Sequence, residues 1–429
     1  MSMTTPRVQS VRAIEALRAG VPNRDAVRAL GSSQPHIEAT FEKLLQDTEA
    51  GLQAGQSPGG ILVSGGFGTG KTHLLEYLQH LALERNFVCS RVVVSKETAL
   101  FEPLKVFTAA MESVTVPDRT GSGLNEVARK LDFNSEGYQR FYRWVSSSES
   151  GICTWFPATA YVYEYSRKSD RDIETADRII RFWSGEPLPV SVLRGWLREL
   201  GQGATYRLEK VAVRDLALQR YKFGPRLMLA AGYKGWVLFV DEVELIGRYT
   251  LMQRARSYAA VAQLLGKLTD QTIPGVATVL TITDDFEGAV LDDPRRNDEE
   301  RIPNRLRATG NEARELLASQ AERGMRLIRQ GKLPLDNNLS PAKIAEIRSK
   351  VRQVYSDAYQ WQPSDANEAA DHTAVIRQHI KRWINGWDLE RLYPGYRPDI
   401  QVSELRPDYS ELPELEMNAK DDSPADSGA

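Results

Sequence analysis

The sequence predicts an α/β protein: a three-layer P-loop domain on a parallel sheet, with a long, mainly helical insertion and a helical C-terminal region. Three observations predict it. The glycine-rich turn Gly65-Gly66-Phe67-Gly68-Thr69-Gly70-Lys71-Thr72 follows the apolar run Ile61-Leu62-Val63-Ser64 and precedes the helix-forming run His73-Leu74-Leu75-Glu76-Tyr77-Leu78. Two further unbroken apolar runs, 235–240 and 275–282, end in Asp241-Glu242 and Thr283-Asp284. Apolar strands without alternation, separated by helical segments, belong to parallel sheets covered on both faces.

In chain order, residues 10–30 read as helix broken at Ala19-Gly20-Val21-Pro22-Asn23, and 34–51 as a second helix. The Gly/Ser/Pro-rich stretch 56–60 leads to the strand before the glycine-rich turn. Residues 72–85 read as helix, and 87–94, rich in valine, as a buried strand. Lys71 and Asp241 lie about 170 residues apart, whereas two βα units need about 60. The excess is placed as an insertion over 115–215, which carries Tyr138, Arg140, Phe141, Tyr142, Arg143, Trp144, Trp155, Phe156, Tyr161, Tyr163 and Tyr165. Helices are expected there over 173–183 and 193–200, and later over 304–330, 340–359 and 371–387. The resulting division is an N-terminal helical segment packing near the nucleotide (1–55), an ATPase core (56–114 and 216–295) and the insertion (115–215). A helical C-terminal domain follows (296–403), serving as a lid with DNA binding as a further role, and then a disordered acidic tail (404–429).

Composition narrows the class. The 429 residues are 41% hydrophobic and 26% charged, a globular profile. A net charge of -2 and a pI near 6.3 do not advertise nucleic-acid binding, although a sum hides any local basic face. Cys89 and Cys153 offer neither a disulfide framework nor metal spacing, which fits a reducing cytoplasm. His36, His80, His372 and His379 lack metal spacing too. No apolar stretch reaches the ~20 residues of a membrane span, so a cytoplasmic protein without membrane contact is expected.

The turn fits GxxxxGK[ST], in which backbone N–H groups and a helix N-terminus cradle polyphosphate. Gly65, Gly66, Phe67, Gly68, Thr69, Gly70, Lys71, Thr72 and His73 are therefore expected around ATP, with His73 simply opening the helix. Lys71 should reach the β- and γ-phosphates, and Thr72 and Asp241 should ligate Mg²⁺. Glu242, one step beyond, is placed to polarise the attacking water. A bare Asp-Glu at a strand end also reads as a solvated turn; the upstream P-loop gives the pair its meaning. Thr283-Asp284-Asp285 either touches the γ-phosphate from the adjacent strand or forms a helix-capping turn. Arg301 and Arg305 are arginine-finger candidates for a neighbouring subunit or, with Arg307, a solvated helix face. Arg377, in the run 373–380, could sense phosphate from a lid.

These parts resemble an AAA+ ATPase. More closely, Arg12-Ala13-Ile14-Glu15-Ala16-Leu17-Arg18-Ala19-Gly20-Val21-Pro22-Asn23, ahead of the P-loop and Asp241-Glu242-Val243-Glu244, resembles the BrxC/BrxD family of bacteriophage-exclusion (BREX) systems, over essentially residues 10–400. The resemblance implies ATP and Mg²⁺ roles for Lys71, Thr72, Asp241 and Glu242, and a polar sensor at Thr283, ending the fourth core strand. It places the turn 20–24 near adenine and carries over no arginine finger. It also implies phage defence with a helicase partner and other BREX proteins.

Two functions follow as expectations. One is an ATP-hydrolysing homo-oligomer acting on DNA or a DNA-bound defence complex. For it, the arginines and aromatics of 138–165 form either a stacking surface for nucleic acid or the insertion's own core. The other is a STAND-like scaffold that oligomerises on ATP, recruits protein partners and hydrolyses slowly. A P-loop phosphotransferase lacks any supporting acceptor motif.

Overall fold

The computed structural model describes residues 6–21, 23–53, 57–117, 119, 121–169, 173–268, 273–336, 340–364 and 375–393. The expected acidic tail, 404–429, lies outside them. Strands β1 (Gly60–Ser64), β2 (Val88–Val93), β3 (Trp236–Asp241), β4 (Val276–Ile282) and β5 (Lys332–Pro334) form one parallel sheet in the order β2-β3-β4-β1-β5. Register pairs Ser64 with Ile282, Val240 with Leu280 and Val93 with Asp241. The P-loop, Asp241 and Thr283 therefore leave the sheet at one carboxyl edge, where open α/β sheets build their sites.

Helices α1 (Pro6–Ala19), α2 (Arg24–Leu30) and α3 (Pro35–Gln53) precede β1, and α4 (Lys71–Glu84) joins β1 to β2. Between β2 and β3 run α5 (Pro103–Glu112), α6 (Leu124–Ala128), α7 (Glu136–Val145), α8 (Trp155–Ser169), α9 (Ile173–Ser184), α10 (Val190–Glu199) and α11 (Val213–Ala230). α12 (Leu251–Leu264) links β3 to β4. α13 (Asp298–Arg307) and α14 (Glu312–Gln330) link β4 to β5, and α15 (Pro341–Tyr359) and α16 (Ile376–Leu392) follow. Among the described residues no helix is long and apolar enough to cross a membrane.

Side-chain alternation splits the central strands between two cores. Val237 and Phe239 pack with Phe41, Leu74 and Leu78 of α3 and α4. Trp236, Leu238 and Val240 face the opposite way, into a cluster shared with α5, α11, α12 and the insertion. Phe107 of α5 packs edge-on to Tyr221 and Trp236, at 4.9 and 6.2 Å. Phe223 of α11 meets Phe141, Phe156 and Trp183 at 5.5, 4.9 and 5.3 Å. Tyr138, Phe141, Trp155, Phe156 and Tyr163 are buried, while Tyr165 is exposed. Of the two readings of 138–165, the five buried rings follow the core one, because they are consumed in covering the sheet.

Two local features differ from expectation. The helix expected over 304–330 is two: Gly310 turns with φ 60, and the Asn311 side chain accepts from Arg314 N–H to start α14. β5 lies in the connection between the helices expected over 304–330 and 340–359, where no strand was expected, since a three-residue Lys-Leu-Pro strand carries no periodicity. A second helical body joins α1 and α2 to α15 and α16. Ile14, Leu17 and Ala26 pack with Val351, Tyr355, Trp383, Ile384 and Trp387, and Arg18 pairs with Asp388 at 2.7 Å.

Candidate functional site

Gly68 and Gly70 hold φ of 76 and 106, a region costly for residues with a Cβ, so the loop curls before α4 begins at Lys71. Lys71 is nearly buried, and its ammonium donates to the carbonyls of Gly65 (2.8 Å) and Gly66 (3.1 Å). The Thr69 hydroxyl donates to the Gly66 carbonyl at 2.8 Å, bracing the loop. Thr72, next in line, donates its hydroxyl to Asp241 Oδ2 at 3.0 Å. The P-loop and the β3 tip thus meet at one point, although 169 positions apart.

Asp241 is buried and accepts from four directions. Thr72 and Arg91 Nη2 (3.0 Å) reach Oδ2; the Thr281 hydroxyl (2.5 Å) and the Glu242 amide (3.1 Å) reach Oδ1. Arg91, on β2, also donates to Glu76 at 3.2 Å. Glu242 is an exposed residue in the left-handed region, φ 60 and ψ 40, unusual for glutamate and suited to turning its side chain off the strand line. Although the residue is open to solvent, partial desolvation of its carboxyl and neighbouring Asp241 raise that carboxyl above the ordinary range, while Lys71, Arg377 and Arg91 pull it down. Glu244 is buried, Oε2 has no hydrogen-bond partner, and burial pushes its carboxyl up to about 7.

Beside the loop lies a cavity of about 280 Å³ between the sheet domain and the helical body. Gly68, Thr69, Gly70, Thr72 and His73 line it from the P-loop side, and Leu17, Gly20, Ile347, Ile376 and Arg377 from the other. The Gly31–Gln34 turn completes its wall. His73 Nε2 sits 2.7 Å from the Gly31 carbonyl; a carbonyl only accepts, so Nε2 carries the proton. Burial lowers the His73 pKa, which favours the neutral ring. Arg377 stacks over the exposed ring of Phe67, 5.3 Å from its centroid.

The expected P-loop residues, Asp241, Glu242 and Arg377 are thus brought together, with Gly20 near the same cavity. Thr283 is buried just past β4, but the hydroxyl on Asp241 belongs to Thr281. Arg301 is exposed and donates to the Arg295 carbonyl, and Arg305 is exposed on α13; neither lines the cavity. Sequence reasoning missed Thr281, Arg91, Glu76 and the Gly31–Gln34 turn. An arginine inside a valine-rich strand was the available signal for Arg91.

A hydroxyl and a carboxylate oxygen converge where Thr72 meets Asp241, the hard donor set that suits Mg²⁺ bound chiefly through substrate phosphates. Among the described residues no cluster of three or more His, Cys, Asp or Glu could hold a metal by itself.

No curated protein and no solved structure matches the chain. A family model described as BREX system ATP-binding protein BrxC/D matches residues 6–131 and 216–385, most of the sequence. The chain belongs to the BREX system ATP-binding protein BrxC/D family.

Proposed function

We propose that this protein is an AAA+-type ATPase that binds and hydrolyses ATP with Mg²⁺ and drives a step of BREX defence on DNA or a DNA-bound complex. The observation that carries the hydrolytic reading is the Thr72–Asp241 hydrogen bond, with Lys71 on the same loop and Glu242 on the same strand tip. Lys71 exchanges its two loop carbonyls for phosphate oxygens, a swap that keeps the ammonium satisfied. Thr72 and Asp241 would hold Mg²⁺, which neutralises charge developing on the transferred phosphoryl group. Glu242, made more basic by partial desolvation and by Asp241, accepts the proton of the attacking water. Thr283, just past β4, remains the sensor candidate, two residues beyond Thr281.

Arg377 reads the phosphates from the helical body, and its charge already reaches Glu242. Arg305, exposed on α13, is the finger candidate for a neighbouring copy in a homo-oligomer, with Arg301 as the alternative. A helicase and other BREX proteins are the proposed partners. One observation favours a second reading, a STAND-like ATP-dependent scaffold: the joint body of α1, α2, α15 and α16 borders the cavity, so nucleotide could set its position. Steady-state ATPase with and without DNA, beside size-exclusion in ATP and ADP, separates them. DNA-stimulated turnover supports the first. ATP-gated assembly with turnover indifferent to DNA overturns it in favour of the scaffold.

A further inference from the structure

With the aromatics of 138–165 in the core, the insertion's unused chemistry is cationic. Between residues 190 and 214 the chain carries Arg194, Arg198, Arg207, Lys210 and Arg214 against Glu199 and Glu209. All five cations are exposed. Among the described residues none of the five has a carboxylate at ion-pair distance, unlike Arg307, which Glu322 meets at 2.7 Å. Arg194 and Arg198, four apart on α10, also repel one another along one helix face, a cost that no internal partner offsets.

Arg194 and Arg198 share one face of α10, and the connection that carries Arg207 and Lys210 packs beside it. The Arg194 guanidinium leans on the Leu208 carbonyl at 3.4 Å, and the Arg198 stem abuts Gly203, so the 201–212 connection folds against α10. Arg178 of α9 lies over the Trp196 ring at 5.6 Å and adds its charge at the flank. The family match stops at 131 and resumes at 216, so this surface lies between the matched segments.

We infer that the outer face of α10, with the connection that follows it, contacts the phosphates of duplex nucleic acid. Charge complementarity selects the occupant: several uncompensated, mostly arginine cations on one face suit a polyanion of regularly spaced phosphates, and need no base contact. The inference deepens the proposal that the ATPase acts on DNA and rests on it.

Salt dependence of duplex binding tests it. If about four cations neutralise phosphates, raising salt from 50 to 200 mM weakens binding about 100-fold. Arg194→Ala/Arg198→Ala should cut that to about 10-fold, abolish DNA stimulation and leave basal ATP turnover unchanged. The control Arg323→Ala/Arg326→Ala, exposed positions on α14, should keep the wild-type slope. A wild-type slope in the α10 variant, with duplex still bound, overturns the surface while leaving DNA action intact. Wild-type protein that neither binds duplex nor responds to it overturns both. Poly-glutamate competing as well as duplex overturns the nucleic-acid assignment in favour of an acidic protein.

Discussion

Arg91→Met should lower the Mg²⁺ concentration that nucleotide binding requires. Arg91 lies 3.0 Å from Asp241 and 3.2 Å from Glu76, with its side chain 22% exposed and that of Asp241 only 4%. Removing one partner of a fully buried pair costs about 3–5 kcal/mol. Here Arg91 is partly solvated, and Thr72, Thr281 and the Glu242 amide still satisfy Asp241. The loss without nucleotide should therefore be nearer ~2 kcal/mol. With Mg²⁺ and ATP the metal supplies the counter-charge, so the variant loses little there. Linkage then requires Mg²⁺ to bind the variant more tightly by the same ~2 kcal/mol, about 30-fold. Urea melts with and without Mg²⁺-ATP, beside Mg²⁺ titration of a fluorescent ATP analogue, measure both sides of the cycle. Equal destabilisation in the two states, or an unchanged or higher half-saturating Mg²⁺ concentration, refutes the reasoning.

Lys71→Ala removes the ammonium from the loop, deleting about two charge-assisted bonds to phosphate; ATP affinity should fall about 100-fold or more, and an unchanged Kd in calorimetry removes Lys71 from the cradle. Glu244 titrates near 7 in the fold against an ordinary 4.5, so the unfolded chain releases its proton first and stability falls as pH rises between those values. Glu244→Gln should thus gain stability over wild type from pH 5.5 to pH 8; the same difference in melting temperature at both pH values contradicts this. Gly324→Ala would set a Cβ 1.9 Å from the Tyr258 carbonyl oxygen, forcing α12 and α14 apart at a cost of at least ~2 kcal/mol, and a wild-type urea midpoint would refute that close approach.

The nucleotide-binding half of this account was legible because its signals are local. Glycines at 68 and 70 announce the curl, and Asp241-Glu242 ends a strand whose six residues are all buried. The ring around Asp241 was not, since Thr281 and Arg91 reach it from strands on either side, and strand order cannot be read along the chain. The shared body of α1, α2, α15 and α16 escaped for the same reason: Leu17 and Trp387 meet only in space. The aromatics of 138–165 were ambiguous because a buried ring and a stacking ring look alike in sequence; packing against Phe223 decides between them.

Single-turnover release of phosphate from the Glu242→Gln variant probes the water-activating strand tip most directly. ATP should bind with wild-type affinity, because the P-loop and Asp241 are untouched, while the hydrolytic step slows by about 10²- to 10⁴-fold. Phosphate release at the wild-type rate from a fully loaded variant would contradict the account at its centre.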